Sequence, residues 1–157
     1  MCDNQHKCCP AGSQCPCGPD CHCPPFCPCH FGGACPCCVA KIGKAAPDFK
    51  GQAVLPSLEF GDIELQQFKG KWLVLFSYPL DFTFVCPTEI IQFSEEYDQF
   101  KKINCEVVGI SVDSVYAHLA WMGTDRKEGG IGNIKYPIIG DLGGKISKQY
   151  GFYMNDA

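Results

Sequence analysis

An α/β sandwich is predicted for residues 39–157, on two observations. Apolar runs of β type alternate with stretches of helical periodicity, and the residues before them, 1–38, are too rich in cysteine and too poor in apolar runs to join a core. Trp72-Leu-Val-Leu-Phe-Ser-Tyr78, bounded by Gly70 and Pro79, reads as a buried strand, and residues 106–112 as a second. Between them Ile90, Phe93, Tyr97 and Phe100 recur at helical spacing, with Glu95, Glu96, Asp98, Lys101 and Lys102 on other faces. Residues 88–103 are therefore predicted as one amphipathic helix, giving a βαβ unit with a parallel strand pair. Asp113 or Ser114 caps a second helix running to about residue 126, its inward side carrying Ala117, Leu119 or Ala120, and Trp121. Gly129, Gly130 and Gly132 break it. Residues 136–140 read as a short third strand, and residues 145–150 as a helix stopped at Gly151.

The leader, 1–38, holds twelve of the fourteen cysteines and three of the four histidines. Cys-x-Cys recurs as Cys15-Pro-Cys17, Cys21-His-Cys23, Cys27-Pro-Cys29 and Cys35-Pro-Cys37, with Cys38 adjoining the last. Two thiolates at i and i+2 can bind one soft ion or bridge two, and His6, His22 and His30 add borderline ligands, so zinc or copper(I) is the metal this tract would take. Such tracts resemble metallothioneins. Without metal the proline-rich stretch is expected to be disordered, and binding would drive any folding. A flexible tail with no defined role, and a tethered source of attacking thiols for the folded part, are the other readings of the same residues.

The formal net charge of −4 and the lack of a Lys/Arg cluster argue against a nucleic-acid or anionic-membrane partner. No stretch approaches the ~18 apolar residues of a membrane span. The first residues lack the basic and apolar regions of a secretory signal, which gives a cytoplasmic expectation in which cysteines serve as metal ligands or redox groups.

The chemistry-bearing residues cluster where the first strand ends and the helix begins, in Tyr78-Pro-Leu-Asp-Phe-Thr-Phe-Val-Cys-Pro-Thr-Glu89. A cysteine in the first turn of a helix lies at the positive end of the helix dipole, which favours the thiolate. Pro87 suits that turn because it has no N–H to leave unpaired. Pro79-x-x-x-Thr83-x-x-Cys86, with Gly109-Ile-Ser-Val-Asp-Ser114, His118-Leu-Ala-Trp121, Asp125-Arg-Lys-Glu-Gly-Gly130 and Tyr136-Pro137, resembles the typical 2-Cys peroxiredoxins from about residue 42 to 151.

The resemblance implies a thioredoxin-like fold and a thiol-specific peroxidase acting on hydrogen peroxide and organic hydroperoxides. It makes Cys86 the attacking thiol, Thr83 the hydroxyl that orients peroxide, and Pro79 the shield of the pocket, with Phe82, Phe84 and Val85 as apolar walls. It also implies a thioredoxin-like reductant, a homodimer or ring of dimers, and no cofactor. Cys105, at the start of a strand, is expected to be packing, His118 a surface or interface residue, and Trp121 core.

Three features of that family have no counterpart in these residues: the active-site arginine, the C-terminal resolving cysteine, and the last strands and covering helix. Arg126, the sole arginine, matches a different family position and is not assigned the catalytic role. The strand over 72–78 is therefore expected to be an open edge. Two origins stay open, an incomplete copy of a longer protein and a truncated natural product with weak peroxidase activity. The functional alternative to a peroxidase is a zinc- or copper-binding redox sensor. The glycine stretch 129–132 resembles a motif associated with overoxidation in some peroxiredoxins.

Overall fold

The computed structural model describes residues 39–83 and 86–153, with the side chain of Cys86 outside the description. The leader cysteines Cys15, Cys17, Cys21, Cys23, Cys27, Cys29, Cys35, Cys37 and Cys38, and with them the metal-binding expectation, lie outside the described residues, as do Phe84 and Val85.

Five strands form one mixed sheet in the order β2-β1-β5-β4-β3: β1 (Lys50–Val54), β2 (Phe60–Glu64), β3 (Trp72–Ser77), β4 (Cys105–Ser111) and β5 (Ile138–Gly140). β3, β4 and β5 run parallel, Val74 opposite Val107 and Gly109 opposite Ile138, while β1 is antiparallel to β2 and β5. The helices are α1 (Cys86–Glu95), α2 (Tyr97–Lys102), α3 (Val115–Gly123) and α4 (Lys145–Tyr150). The parallel β3–β4 pair with α1 and α2 between its strands is the expected βαβ unit. β1 and β2 were not anticipated, because Lys50-Gly-Gln-Ala-Val carries only two apolar side chains at its end and is held by pairing on both sides.

The chain divides into two units by contact, Asp48–Ile146 and the remainder. Within the first, α3 lies against β1 and β5, and α2 against β4. Val54, Tyr78, Ile90, Val107, Trp121, Met122, Ile134, Tyr136 and Ile138 form its core. Within the second, Ala40 N–H donates to Gln149 O at 2.9 Å and the Tyr150 hydroxyl to Pro47 O at 2.7 Å.

Four expectations need correction. The single helix over 88–103 is two, because Glu96 leaves helical geometry at ψ 5°; with that break Tyr97 reaches Glu106 at 2.8 Å, while Phe93 stays stacked on Phe76 at 4.9 Å. The helix expected to end near 126 stops at Gly123, where Thr124 turns extended and its hydroxyl donates to Ala120 O at 2.7 Å. Trp121 is buried as expected and Leu119 packs partly buried against the core, but the rest of the buried face is Val115, His118 and Met122 rather than Ala117 or Ala120. The strand over 72–78 is only half-buried, since β3 pairs with β4 alone among the described residues and Trp72 is 75% exposed. The Ser114 cap is as expected, its hydroxyl accepting from Ala117 N–H at 3.2 Å. Cys105 is free and buried, as a packing residue should be.

A charged cluster fastens β4 to the helices. Glu106 accepts from Lys71 at 2.8 Å, Lys101 at 2.6 Å and the Tyr97 hydroxyl at 2.8 Å. Desolvation works to raise its pKa, but the hydrogen bonds from Lys101, Lys71 and Tyr97, together with the Lys101 charge, outweigh it and hold the carboxylate down to about 2. A carboxylate held low in the folded state stabilises the fold above its ordinary value of 4.5, and that contribution is lost as pH falls toward 2. Glu106→Gln is expected to cost about 1–2 kcal/mol near neutral pH, kept small by the solvent around both lysines. Urea unfolding midpoints at pH 7 and pH 3 check this: the two proteins differ at the first and converge toward the second.

Candidate active site

The site is built at the carboxyl ends of two adjacent parallel strands, where β3 gives way to residues 78–83 and β4 to Ser111-Val-Asp113. Cys86 is the first residue of α1, a helix of ten residues with Pro87 following it and Glu89 in the first turn. That places it where unpaired backbone N–H groups and the helix dipole favour negative charge. α1 is fixed from below by the Tyr136 hydroxyl, which donates to Ile90 O at 2.7 Å, and by the Ser94 hydroxyl, which accepts from Lys135 N–H at 3.0 Å.

Thr83, three residues earlier, is half-buried, and its hydroxyl donates to Leu80 O at 3.0 Å. A hydroxyl whose proton is committed in this way keeps its lone pairs for accepting. Pro79 is exposed, and Phe82 is 52% exposed, with its ring 5.9 Å from that of Trp121. Phe82 has φ 56°, a left-handed conformation uncommon for an aromatic residue, so this turn is held from outside. A groove of about 600 Å³ lined by Thr88, Glu89, Gln92, Phe93, Glu96 and Phe100 lies along α1 and α2.

What holds the turn is a group of residues whose role the sequence reading missed. Asp81 is buried, and its N–H donates to Asp113 Oδ2 at 2.9 Å; the same Oδ2 accepts from the Ser111 hydroxyl at 2.8 Å. Asp81 Oδ1 accepts from the Tyr78 hydroxyl at 2.9 Å, and Oδ2 lies 2.7 Å from His118 Nδ1. His118 is fully buried, contrary to the surface or interface position expected for it, because the turn of α3 that carries Trp121 and Met122 carries it inward too. Burial pushes the Tyr78 phenol far above its ordinary pKa, and the charge and hydrogen bond of Asp81 add to this, so the phenol stays protonated as a donor. The available signal was the pair Asp81 and Asp113, each just past the end of one of two neighbouring parallel strands.

Arg126 donates to Glu95 at 3.0 Å in a half-exposed pair. The Gly129–132 stretch closes on Trp121, whose indole N–H donates to Gly129 O at 3.0 Å. A Cβ on Gly130 would sit 1.9 Å from Thr124 O. Gly130→Ala is expected to destabilise the fold by about 2–3 kcal/mol through forced backbone displacement, read as a lower urea midpoint with unchanged slope.

Among the described residues no group of three His, Cys, Asp or Glu is placed to hold a metal, and no helix is long and apolar enough to cross a membrane. Residues 42–157 match the AhpC/TSA family. The chain is 55% identical over 117 residues to peroxiredoxin-1 of Gallus gallus, covering 74% of this chain and 59% of that protein. It is 58% identical over 116 residues to peroxiredoxin-4 of Dictyostelium discoideum, covering 74% and 44%. The crystal structure of a reduced 2-Cys peroxiredoxin from Plasmodium vivax superposes with a TM-score of 0.72 at 47% identity, over 75% of this chain and 62% of that one. The chain thus spans about three-fifths of the length of its first curated relatives, the Gallus gallus protein at 59% among them. It belongs to the AhpC/TSA family, and its fold is the thioredoxin-like one of the typical 2-Cys peroxiredoxins.

Proposed function

We propose that the chain is a thiol peroxidase for hydrogen peroxide and small organic hydroperoxides, with Cys86 as the attacking thiol, Thr83 as the orienting hydroxyl and Pro79 as the flanking shield. The observation that carries this reading is the position of Cys86 as the first residue of α1, where the helix end favours the thiolate that does the chemistry. The thiolate sulfur attacks one peroxide oxygen. The S–O bond forms as the O–O bond breaks, the departing hydroxide or alkoxide takes up a proton, and Cys86 becomes a sulfenic acid. Thr83, its own proton given to Leu80 O, is suited to accept from the O–H of the peroxide and so to orient it. Condensation of the sulfenic acid with a second thiol releases water and forms a disulfide, which a thioredoxin-like dithiol protein reduces. None of these steps needs a cofactor. The reading carries with it a cytoplasmic setting, a homodimer or ring of dimers, and a division into leader, 1–38, and family domain, 39–157. A metal-binding role for the leader, with zinc or copper(I), rests on its Cys-x-Cys spacing alone.

The test is peroxide consumption coupled to oxidation of reduced thioredoxin. Saturable turnover, one thioredoxin oxidised per peroxide lost, is the expected result. Absence of turnover, together with bound zinc or copper by elemental analysis, would transfer the assignment to the metal-binding reading.

A further inference from the structure

The buried pair His118 and Asp81 is the candidate that no step above uses. His118 Nε2 lies 3.2 Å from Ile139 O, and a carbonyl oxygen can only accept, so Nε2 carries a proton. The other nitrogen, Nδ1, faces Asp81 Oδ2 at 2.7 Å, with both side chains essentially out of solvent. One further proton therefore lies between them, on the imidazole facing a carboxylate or on the carboxyl facing a neutral imidazole. Both arrangements make the same short bond. The groups facing the pair are Tyr78, which follows β3, donates to Asp81 Oδ1 and has its hydroxyl 3.4 Å from His118 Nδ1, the Ile139 carbonyl on β5, and Asp113, which follows β4 and accepts from Asp81 N–H. No buried side-chain nitrogen or oxygen among the described residues is left without a partner, so the pair is a closed network.

Its place in the chain gives it a consequence. Asp81 sits one residue before the left-handed Phe82, two before Thr83 and five before Cys86. We propose that Asp81 and His118 are positioning residues for the peroxide reaction, their shared-proton bond fixing the turn over residues 78–83 that carries Thr83 and precedes Cys86. The proposal rests on the reading of Cys86 as the attacking thiol. α3 thereby holds the turn at two points, His118 on the Asp81 carboxyl and Trp121 on the Phe82 ring.

The test compares three variants of the full chain. Asp81→Ala removes the carboxylate that both Tyr78 and His118 contact. Tyr78→Phe deletes one of these bonds while keeping the buried ring. Asp81→Asn keeps the geometry, since the amide oxygen accepts from Tyr78 and the amide N–H donates to the Nδ1 of a neutral His118. Two rates are read at the cysteine peptide containing Cys86: alkylation by iodoacetamide against pH, and oxidation by hydrogen peroxide. Near-UV circular dichroism confirms packing in each variant.

Asp81→Ala is expected to slow the peroxide step about ten- to hundredfold, in line with the sensitivity of aligned displacements to misplacement. Tyr78→Phe is expected to slow it by a smaller factor, and Asp81→Asn to restore it to within about threefold of the parent. The alkylation midpoint of Cys86 is expected to move to higher pH in Asp81→Ala and to return in Asp81→Asn. Folded Asp81→Ala and Tyr78→Phe proteins with the parent's rates and midpoint would overturn the proposal, as would an Asn variant as slow as the Ala variant. If Asp81→Ala does not fold, Tyr78→Phe and Asp81→Asn decide the matter by the same criteria. A parent chain whose Cys86 does not react with peroxide, while its alkylation responds to these substitutions, would overturn the peroxidase reading instead.

Discussion

Cys86→Ser is expected to reduce peroxide consumption at least ~10³-fold, the order seen when a nucleophile is deleted from a preorganised site. A serine hydroxyl at the same helix end does not ionise near neutral pH, so neither the dipole nor Thr83 has a nucleophile to assist. Cys105→Ser is the informative control. Cys105 is free but buried at the start of β4, and its thiol hydrogen-bonds to Glu106 O at 3.5 Å, so its removal should leave the rate within about twofold. Initial rates of peroxide loss at equal concentrations of the parent and both variants check the pair. The leader thiols remain in every sample and set the background rate of unactivated cysteines, against which the Cys86 contribution is read.

Trp121→Ala is expected to destabilise the unit Asp48–Ile146 by about 3–5 kcal/mol, a large share of the stability of a domain this size. Trp121 is fully buried, and its ring lies 5.8 Å from that of Tyr78 and 5.9 Å from that of Phe82. Its indole N–H is the donor to Gly129 O, so truncation opens a cavity and also strands a carbonyl. Because the same ring supports the 78–83 turn, the folded fraction of this variant should also lose reactivity at Cys86. Urea unfolding followed by tyrosine and Trp72 fluorescence measures the first effect, and the peroxide rate at low temperature, where the variant stays folded, measures the second. Phe at 121 should recover part of the stability without the hydrogen bond.

The parallel β3–β4 pair and the start of α1 were legible because their signals are local: an apolar run between Gly70 and Pro79, and a proline just after a cysteine at the head of a helical pattern. α4 was legible for the same reason, its pattern ending at Gly151 in a left-handed conformation. β1 and β2 were not, since their stability comes from antiparallel partners, and the 55–59 turn that joins them carries its left-handed residue at Leu58 rather than at a glycine. In α3 the many apolar residues leave the inward face ambiguous. The buried histidine decides it, and its partner Asp81 lies 37 residues earlier in sequence. Cys86 could be singled out from its place before Pro87 at the head of a helical pattern, and Thr83 from the resemblance to the peroxiredoxins, whereas the Tyr78, Asp81, His118 and Asp113 network is created only when β3, β4, β5 and α3 meet.

The most direct measurement of the central claim is the site at which the first equivalent of peroxide is spent. The reduced chain is mixed with one equivalent of hydrogen peroxide in the presence of dimedone, which captures sulfenic acids, then digested and mapped by mass spectrometry. The adduct is expected on Cys86, formed within the mixing time of a manual experiment, with Cys105 and the leader cysteines unmodified. An adduct spread over the leader, with Cys86 still a free thiol, would contradict the account.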